Sequence, residues 1–394
     1  MPVLFNDLIL PMRALFSDDP SAFIPLHAPA FHGNEKTYLN ECIDSTFVSS
    51  VGPFVDRIEK EMAEFTGSAH AIACVNGTAA LHISLLLAGV QKGDLVLTQS
   101  LSFVATANAI AYTGAEPLFL DIDPNNLSLS AETVAQFLSA ECSLNPRREC
   151  VHNASGRRVK AIVPMHSFGF CADVKTLQEL ARQYGLALIE DAAESLGSYI
   201  EGQHSGTFGM FGTLSFNGNK TITAGGGGII LTQDAELAKK AKHLTTQAKQ
   251  PHAWKFFHDQ TGYNYRMPNI NAALLCAQLE QLPAFLKVKR DLAQQYHSLI
   301  ETFKQGNKLG PSFLLEPQGQ TCNYWLCGML MNSLEQRDQF LEEANALNFM
   351  CRPAWELLHT LPMFQRSPRA EHLSHSHFIY ERLVSLPSSP YHLA

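Results

Sequence analysis

The stretch AIACVNGTAALHISLLLAGV (residues 71–90) begins as a short apolar run, AIACV, and passes through Asn76 and Gly77 into a longer apolar segment of helical length. A strand followed at once by a helix is the reading. The same pairing recurs on either side of it. LVLTQ (95–99) precedes FVATANAIAYTG, AIVPM (161–165) precedes DVKTLQELARQYG, and LALIED (186–191) follows that helix. Strands alternating with helices of this length predict an α/β fold whose central, mainly parallel sheet is flanked by helices. Ligands of such sheets bind at the carboxyl ends of the strands, so the residues just after each apolar run are the ones to inspect.

Further along, GIILTQ (228–233) reads as another strand and DAELAKKAKHL as a helix capped by Asp234. NINAALLCAQLEQLPAFLKVKRDLAQQYHSLIETF (269–303) reads as long helix interrupted near Pro283, where the pattern loosens. These features divide the chain into an N-terminal helical extension (1–25), a large domain (26–280) and a smaller C-terminal α+β domain (281–394). SAECSLNPRRECVHNASGRR (139–158) is polar and reads as an exposed insertion. HLSHSH (372–377) gathers three histidines without a partner ligand at metal-binding spacing, so no metal site is expected.

The 394 residues are 46% hydrophobic and 17% charged, enough to bury a sizeable core. A net charge of −8 with no basic cluster argues against a nucleic-acid or anionic-membrane partner. Nine scattered cysteines, with no CxxC pair, fit free thiols in a reducing compartment. The N-terminal segment MPVLFNDLILPMRALFSDDP lacks a basic leader and reads as a short amphipathic helix, and the most apolar window is broken by Asn76, Gly77, Thr78 and His82. A cytoplasmic protein is the expectation.

Three motifs carry chemistry. In VNGTAAL, Gly77 and Thr78 stand at a strand end and helix start, where free N–H groups favour an anion; an ordinary capped helix explains them equally well. In EDAAES, Asp191 ends a buried strand as a carboxylate that needs a cation or a strong donor. In SFNGNKTITAGGGG (215–228), Lys220 stands between a strand and four glycines. Taken alone it reads as a surface lysine in a turn. Pyridoxal phosphate accounts for all three together: phosphate on Gly77 and Thr78, pyridine nitrogen on Asp191, aldehyde in a Schiff base with Lys220. Gly225–Gly228 would then let backbone approach the lysine loop closely. A nucleotide loop is excluded, because the lysine precedes the glycines and the GxxxxGK[ST] spacing is missing.

NGTAAL, SFVATANAI, EDAAES, SFNGNK and GYNYRMPNINAALLCAQLEQL resemble the pyridoxal-phosphate sugar aminotransferases of the DegT/DnrJ/EryC1/StrS family, from about Ile24 to near the C-terminus. The resemblance implies the aspartate-aminotransferase-like fold (type I). It also implies that Lys220 carries the Schiff base, that Asp191 meets the pyridine nitrogen and that Glu194 lies near the cofactor 3-hydroxyl. Phe103 would stack on the ring, Thr78 and Ser215 would bind phosphate, and Asn264 would reach the phosphate of the neighbouring subunit. A homodimer with shared active sites follows. Many members have a glutamate in the glycine run, where this chain reads GGGG. Relatives that act as sugar dehydratases replace the lysine with histidine, so the lysine favours transamination.

IPLHAPAFHGNE, SSVGPFVDRIE, NYW (323–325), RPAWELLHTLPMF and LPSSP are similar to the LegC-like subgroup, 4-aminotransferases of nucleotide-linked 4-keto-6-deoxy-N-acetylhexosamines. The implied reaction moves an amino group from glutamate to the C4 ketone, for a surface-glycan sugar of legionaminic-acid or bacillosamine type. Arg266, Trp355 and His359 are candidates for the acceptor cleft on the chemistry of a planar cation and an amphipathic aromatic, with structural roles equally open. His166 is a candidate from its place beyond a strand end, with a core histidine as the other reading. Two alternatives stand beside this function: a same-fold enzyme for another keto sugar or cyclitol, and a non-catalytic sugar-nucleotide-binding protein.

Overall fold

A computed structural model describes residues 5–306 and 310–390. Residues 1–4 of the expected N-terminal extension and 391–394 of the C-terminal domain lie outside the described residues. The apolar runs form a seven-stranded sheet: β1 (His70–Cys74), β2 (Leu95–Gln99), β3 (Glu116–Leu120), β4 (Val159–Val163), β5 (Ala187–Asp191), β6 (Phe211–Ser215) and β7 (Gly228–Thr232). Their order across the sheet is β1-β7-β6-β5-β4-β2-β3. All neighbours pair in parallel except β7, which is antiparallel to β1 and β6. Every residue of β2, β5 and β7 is buried, which is why these strands read as continuous apolar runs rather than alternating ones.

Helices α1 (Asn6–Ala14), α2 (Gly77–Leu87), α3 (Val104–Tyr112), α4 (Val174–Tyr184), α5 (Ala235–Thr245) and α6 (Asn269–Gly306) complete the framework used below. Asn76, Asp173 and Asp234 cap α2, α4 and α5 through their side-chain oxygens, as their residue types dictate. The sheet edges are occupied. Along β3, Phe119 N–H donates to Pro368 O (3.0 Å) and Ala370 N–H donates back to Phe119 O (2.9 Å). Along β1, Glu59 accepts from Ala73 N–H (2.8 Å) while pairing with Lys242. Edge groups bound in this way are removed from pairing with another chain.

A second, antiparallel sheet is built from β8 (Ser312–Phe313), β9 (Cys327–Leu330), β10 (Arg352–Pro353) and β11 (Leu383–Leu386), in the order β8-β9-β11-β10. Leu8, Ile9 and Met12 of α1 pack into its core with Tyr296, Phe340 and Phe349. The N-terminal helix therefore folds onto the C-terminal part of the chain.

Two local expectations are corrected. Helix α6 is not interrupted at Pro283 but runs through it for 38 residues. Proline removes one backbone donor, yet Leu279, Leu282 and Phe285 bury against the main-sheet core, and Leu292, Tyr296 and Ile300 bury against the second. Burial on both sides of the proline holds the helix together. The insertion 139–158 is not featureless either: Cys142–Leu144 and Cys150–His152 pair as a hairpin with both cysteines buried. All nine cysteines are free and buried.

The histidine-rich stretch begins a short helix, Ser374–Tyr380, tied to the main sheet by Asp121. The Asp121 carboxylate, 5% exposed, accepts from Ile122 N–H, His375 N–H, Ser376 N–H and Ser376 Oγ at 2.6–2.9 Å. Removing an acceptor that satisfies several buried donors costs more than one average hydrogen bond. Asp121→Ala is expected to lower the unfolding free energy by about 2–3 kcal/mol, read as a shifted denaturant midpoint with an unchanged slope.

Candidate active site

The carboxyl ends of the parallel strands meet around a cavity of about 290 Å³. Its floor is the start of α2. Gly77 and Thr78 line it, and Asn76 turns its side chain inward along the helix to accept from Ala79 N–H (2.8 Å), leaving the first-turn N–H groups beside the cavity. Ser215, the last residue of β6, faces Gly77 so closely that a Cβ on Gly77 would fall 2.8 Å from Ser215 Cβ. The start of α2 can lie this close to the end of β6 only because residue 77 lacks a side chain.

The glycine run serves this cradle. Gly225 has φ +72°, a conformation few side chains tolerate, and turns the chain into β7. A Cβ on Gly228 would lie 2.4 Å from the Asn76 carbonyl carbon and oxygen. The closest approach is thus to the start of α2, where the sequence reading placed it at the lysine loop. Gly226 and Gly227 line the cavity itself.

Asp191 ends β5 at 3% exposure. Its Oδ2 accepts from Thr106 Oγ1 on α3 (2.8 Å) and its Oδ1 from Ala193 N–H (3.2 Å). Burial raises its pKa above the ordinary carboxylate value, while these donors and Lys220 pull it back. Glu194, 2% exposed, receives Lys220 Nζ at 3.2 Å on Oε1 and Phe168 N–H at 3.0 Å on Oε2. Burial pushes its pKa up to about 7, against the opposing pull of the Lys220 ammonium. Phe168 makes its contact from a left-handed backbone, φ +59°, rare for an aromatic and found where surrounding packing enforces it.

Lys220 lies in the β6–β7 connection, with its Nζ 4.1 Å from the centre of the Trp325 ring. The Trp325 indole N–H donates to Asn219 O (2.7 Å), and Asn323 donates to Glu194 O and Leu196 O, both at 2.9 Å. Trp355 and Phe103 form the outer rim, with ring centres 6.4 Å apart in an edge-on arrangement.

The fold thus gathers Gly77, Thr78, Phe103, Asp191, Glu194, Ser215, Lys220 and Trp355 around one cavity. Four other candidates lie outside it. His166 is fully buried: its Nδ1 accepts from Ala172 N–H (3.1 Å), which puts the ring proton on Nε2 facing Glu190 (3.1 Å). His359 Nδ1 meets Ser100 Oγ at 2.6 Å. Asn264 is exposed and accepts from Arg266 Nε (3.0 Å). Sequence reasoning passed over Thr106, Phe168, Asn219, Asn323 and Trp325 as site residues. Asn323 and Trp325 lie in NYW, Thr106 in SFVATANAI and Asn219 in SFNGNK, motifs quoted without a role for these residues, while Phe168 lies in none of them.

Residues 29–392 match the DegT/DnrJ/EryC1/StrS aminotransferase family. The chain is 36% identical over 372 residues to the GDP-perosamine synthase of Escherichia coli O157:H7, covering 93% of this chain and 94% of that protein. It is 35% identical to the enzyme of the same name from Vibrio cholerae, with the same coverage. Among solved structures it superposes on the aminotransferase TlmJ from Streptoalloteichus hindustanus with a TM-score of 0.81 at 28% identity, covering 93% of this chain and 94% of that one.

The Glu194 carboxyl gives a test of this electrostatic picture. A folded pKa near 7 lies above the ordinary glutamate value, so the folded chain holds this proton more tightly than the unfolded chain. The stability it contributes is complete below about pH 4.5 and is lost as pH rises through about 7. The stability difference between wild type and Glu194→Gln, measured by chemical unfolding before cofactor is added, should fall across that window, by up to about 3 kcal/mol. A difference that is flat with pH would contradict the assignment.

Proposed function

Because the chain belongs to the DegT/DnrJ/EryC1/StrS aminotransferase family, we propose that it moves the amino group of glutamate to the C4 ketone of a nucleotide-linked 4-keto-6-deoxyhexose, in the synthesis of a surface-glycan amino sugar. It is a pyridoxal-phosphate-dependent aminotransferase. The residues fit that cofactor: a helix start held against Ser215 by the missing side chain of Gly77, a buried carboxylate, and a lysine, all lining one cavity. The observation that carries the reading is that Lys220, Asp191 and the start of α2 share one small cavity.

In this reading Gly77, Thr78 and Ser215 hold the phosphate, helped by the positive end of the α2 dipole. Asp191, kept in place by Thr106, would meet the ring nitrogen. Glu194 would face the ring's 3-hydroxyl and Phe103 would cover a ring face. When bound, the cofactor supplies an aldehyde that takes up the donor's amino group and a protonated ring that withdraws electrons from the donor's α carbon. Lys220 Nζ would take the proton from the donor's α carbon and return it to the carbon of the cofactor's former aldehyde, and would make the same transfer in reverse for the keto sugar. The aromatic rim of Phe103 and Trp355 limits water and offers apolar faces to a sugar.

Asn264 and Arg266, away from the cavity of one chain, are proposed to act in the site of a second copy across a homodimer; exposed Trp254, Phe256 and Phe257 nearby in sequence support a covered surface there. His166 and His359 are assigned supporting positions behind the cleft. The division into residues 1–25, 26–280 and 281–394 and a cytoplasmic location are part of the same proposal; no helix among the described residues is long and apolar enough to cross a membrane.

Two acceptor sugars are distinguished by different observations. The motifs IPLHAPAFHGNE and RPAWELLHTLPMF favour a UDP- or GDP-linked N-acetylhexosamine of the legionaminic-acid or bacillosamine type. The GDP-perosamine synthases among the relatives favour a GDP-linked sugar. Glutamate should convert the visible absorbance band of the loaded enzyme to the shorter-wavelength band of the amine form, and Lys220→Ala should lack the resting band and lose turnover by at least about 100-fold. Formation of 2-oxoglutarate with each keto sugar nucleotide then selects the acceptor. An enzyme that saturates with cofactor and shows no spectral change with glutamate would refute the reading.

A further inference from the structure

Lys289 is the most deeply buried lysine among the described residues, at 1% exposure, and no carboxylate pairs with it. It projects from α6 to three acceptors: Ser388 O at 2.5 Å, His27 Nε2 at 3.0 Å and Trp325 O at 3.1 Å. An ammonium has three N–H donors, and here each has one acceptor. For His27 Nε2 to accept, the ring proton must sit on Nδ1, a buried nitrogen with no partner of its own. Burial holds the Lys289 pKa down to about 7. Three separate parts of the chain, the IPLHAP segment, the NYW turn and the LPSSP segment, converge on this one amine.

Trp325 is the member of that set that reaches the site. Its carbonyl is held by Lys289, its N–H by Asn323 Oδ1 (2.8 Å) and its indole N–H by Asn219 O (2.7 Å). The preceding Tyr324 is left-handed, φ +46°, and a Cβ on Gly169 would fall 1.8 Å from Asn323 Oδ1, so the turn is seated against the main domain without slack. One edge of the indole packs on Phe168, with ring centres 6.1 Å apart, and its face lies 4.1 Å from Lys220 Nζ. Glu194 Oε1 stands 3.2 Å from the same nitrogen.

We propose that Trp325, anchored from behind by Lys289, is a positioning residue that confines the free amine of Lys220 to a slot between the indole face and Glu194. This rests on the reading of Lys220 as the proton carrier. A free lysine side chain has four rotatable bonds, and a proton carrier that wanders is out of reach for most of its time. The indole face attracts the ammonium without competing for its proton, because it has no basic nitrogen to offer. Glu194 and Asp191 are the charged groups facing Lys220 from the main domain, and His27 lies behind it on the N-terminal segment. Trp325 meets it from the C-terminal part of the chain, so the slot closes only when both parts of the molecule are in register.

The test uses the full-length enzyme loaded with pyridoxamine phosphate, in which Lys220 is free. Acetylation of Lys220 by trace acetic anhydride is followed by peptide mass spectrometry from pH 6 to pH 10, and the rate of the glutamate-driven spectral change is recorded in a single turnover. Trp325→Leu should change the Lys220 labelling rate at least threefold, move its pH midpoint and slow the single turnover roughly 10- to 100-fold. Trp325→Phe, which keeps a ring face, should recover most of both. Lys289→Met should shift labelling in the same direction as Trp325→Leu; if it does not fold, Lys289→Gln replaces it. Wild-type labelling in Trp325→Leu would overturn the proposal, and wild-type labelling in the Lys289 variant alone would overturn the anchoring by Lys289. Labelling needs neither donor nor sugar, so a wild-type enzyme that labels as described yet does not respond to glutamate refutes the functional reading instead.

Discussion

The Asp191 carboxylate sits at the end of a buried strand with two protein donors, Thr106 Oγ1 and the Ala193 N–H, and Glu194 stands one turn further on, equally buried. Two carboxylates removed from water are costly to ionise unless positive charge is close. In the described chain that charge is the ammonium of Lys220, 3.2 Å from Glu194. Bringing it there sets the topology: β6 must lie beside β5, in parallel, so that Thr213 pairs with Asp191 and the chain leaving Ser215 arrives next to the carboxylates.

The single antiparallel strand follows from the same requirement. A parallel continuation after β6 would carry the chain away through a helix, whereas the tight return into β7 leaves residues 216–227 at the carboxyl end of the sheet. That return runs past the start of α2, and Gly228 is the point of closest approach. The cradle at Gly77 and the lysine are therefore built by one hairpin threaded between β1 and β5. A side chain at either glycine would separate the two halves of the site.

Much of this was legible beforehand. The strand-then-helix alternation predicted the sheet because parallel strands covered on both faces must be apolar throughout, and that signature survives in sequence. Asp234 announces its helix because a cap acts over three residues. Asp191, Gly77 and Thr78 stand out because they lie at or just beyond a strand end, and Lys220 because it stands between a strand and four glycines. Helix α6 was misread at Pro283, since a proline's local cost is visible in sequence while the burial of Leu282 and Phe285 that offsets it is not. Thr106 and Trp325 lie in the quoted motifs SFVATANAI and NYW, but their roles do not show there: the partner of Thr106 is 85 residues away, and nothing local distinguishes a tryptophan in a core from one lying over a lysine.

The sequence by itself determined the alternation of elements, the positions of strand ends and helix starts, and the identity of the groups that stand there. These depend on periodicity and on hydrogen bonds between near neighbours, which a linear string records. Only the tertiary structure decided which groups share a cavity: it brought Thr106 to Asp191 and Trp325 to Lys220, placed His166 in the core on Glu190, and left Asn264 and Arg266 outside the site of their own chain. Those outcomes rest on burial and on contacts between segments from 24 residues apart, as for His166 and Glu190, to 85, as for Thr106 and Asp191, and more, where the free energy of a pair depends on everything else packed around it.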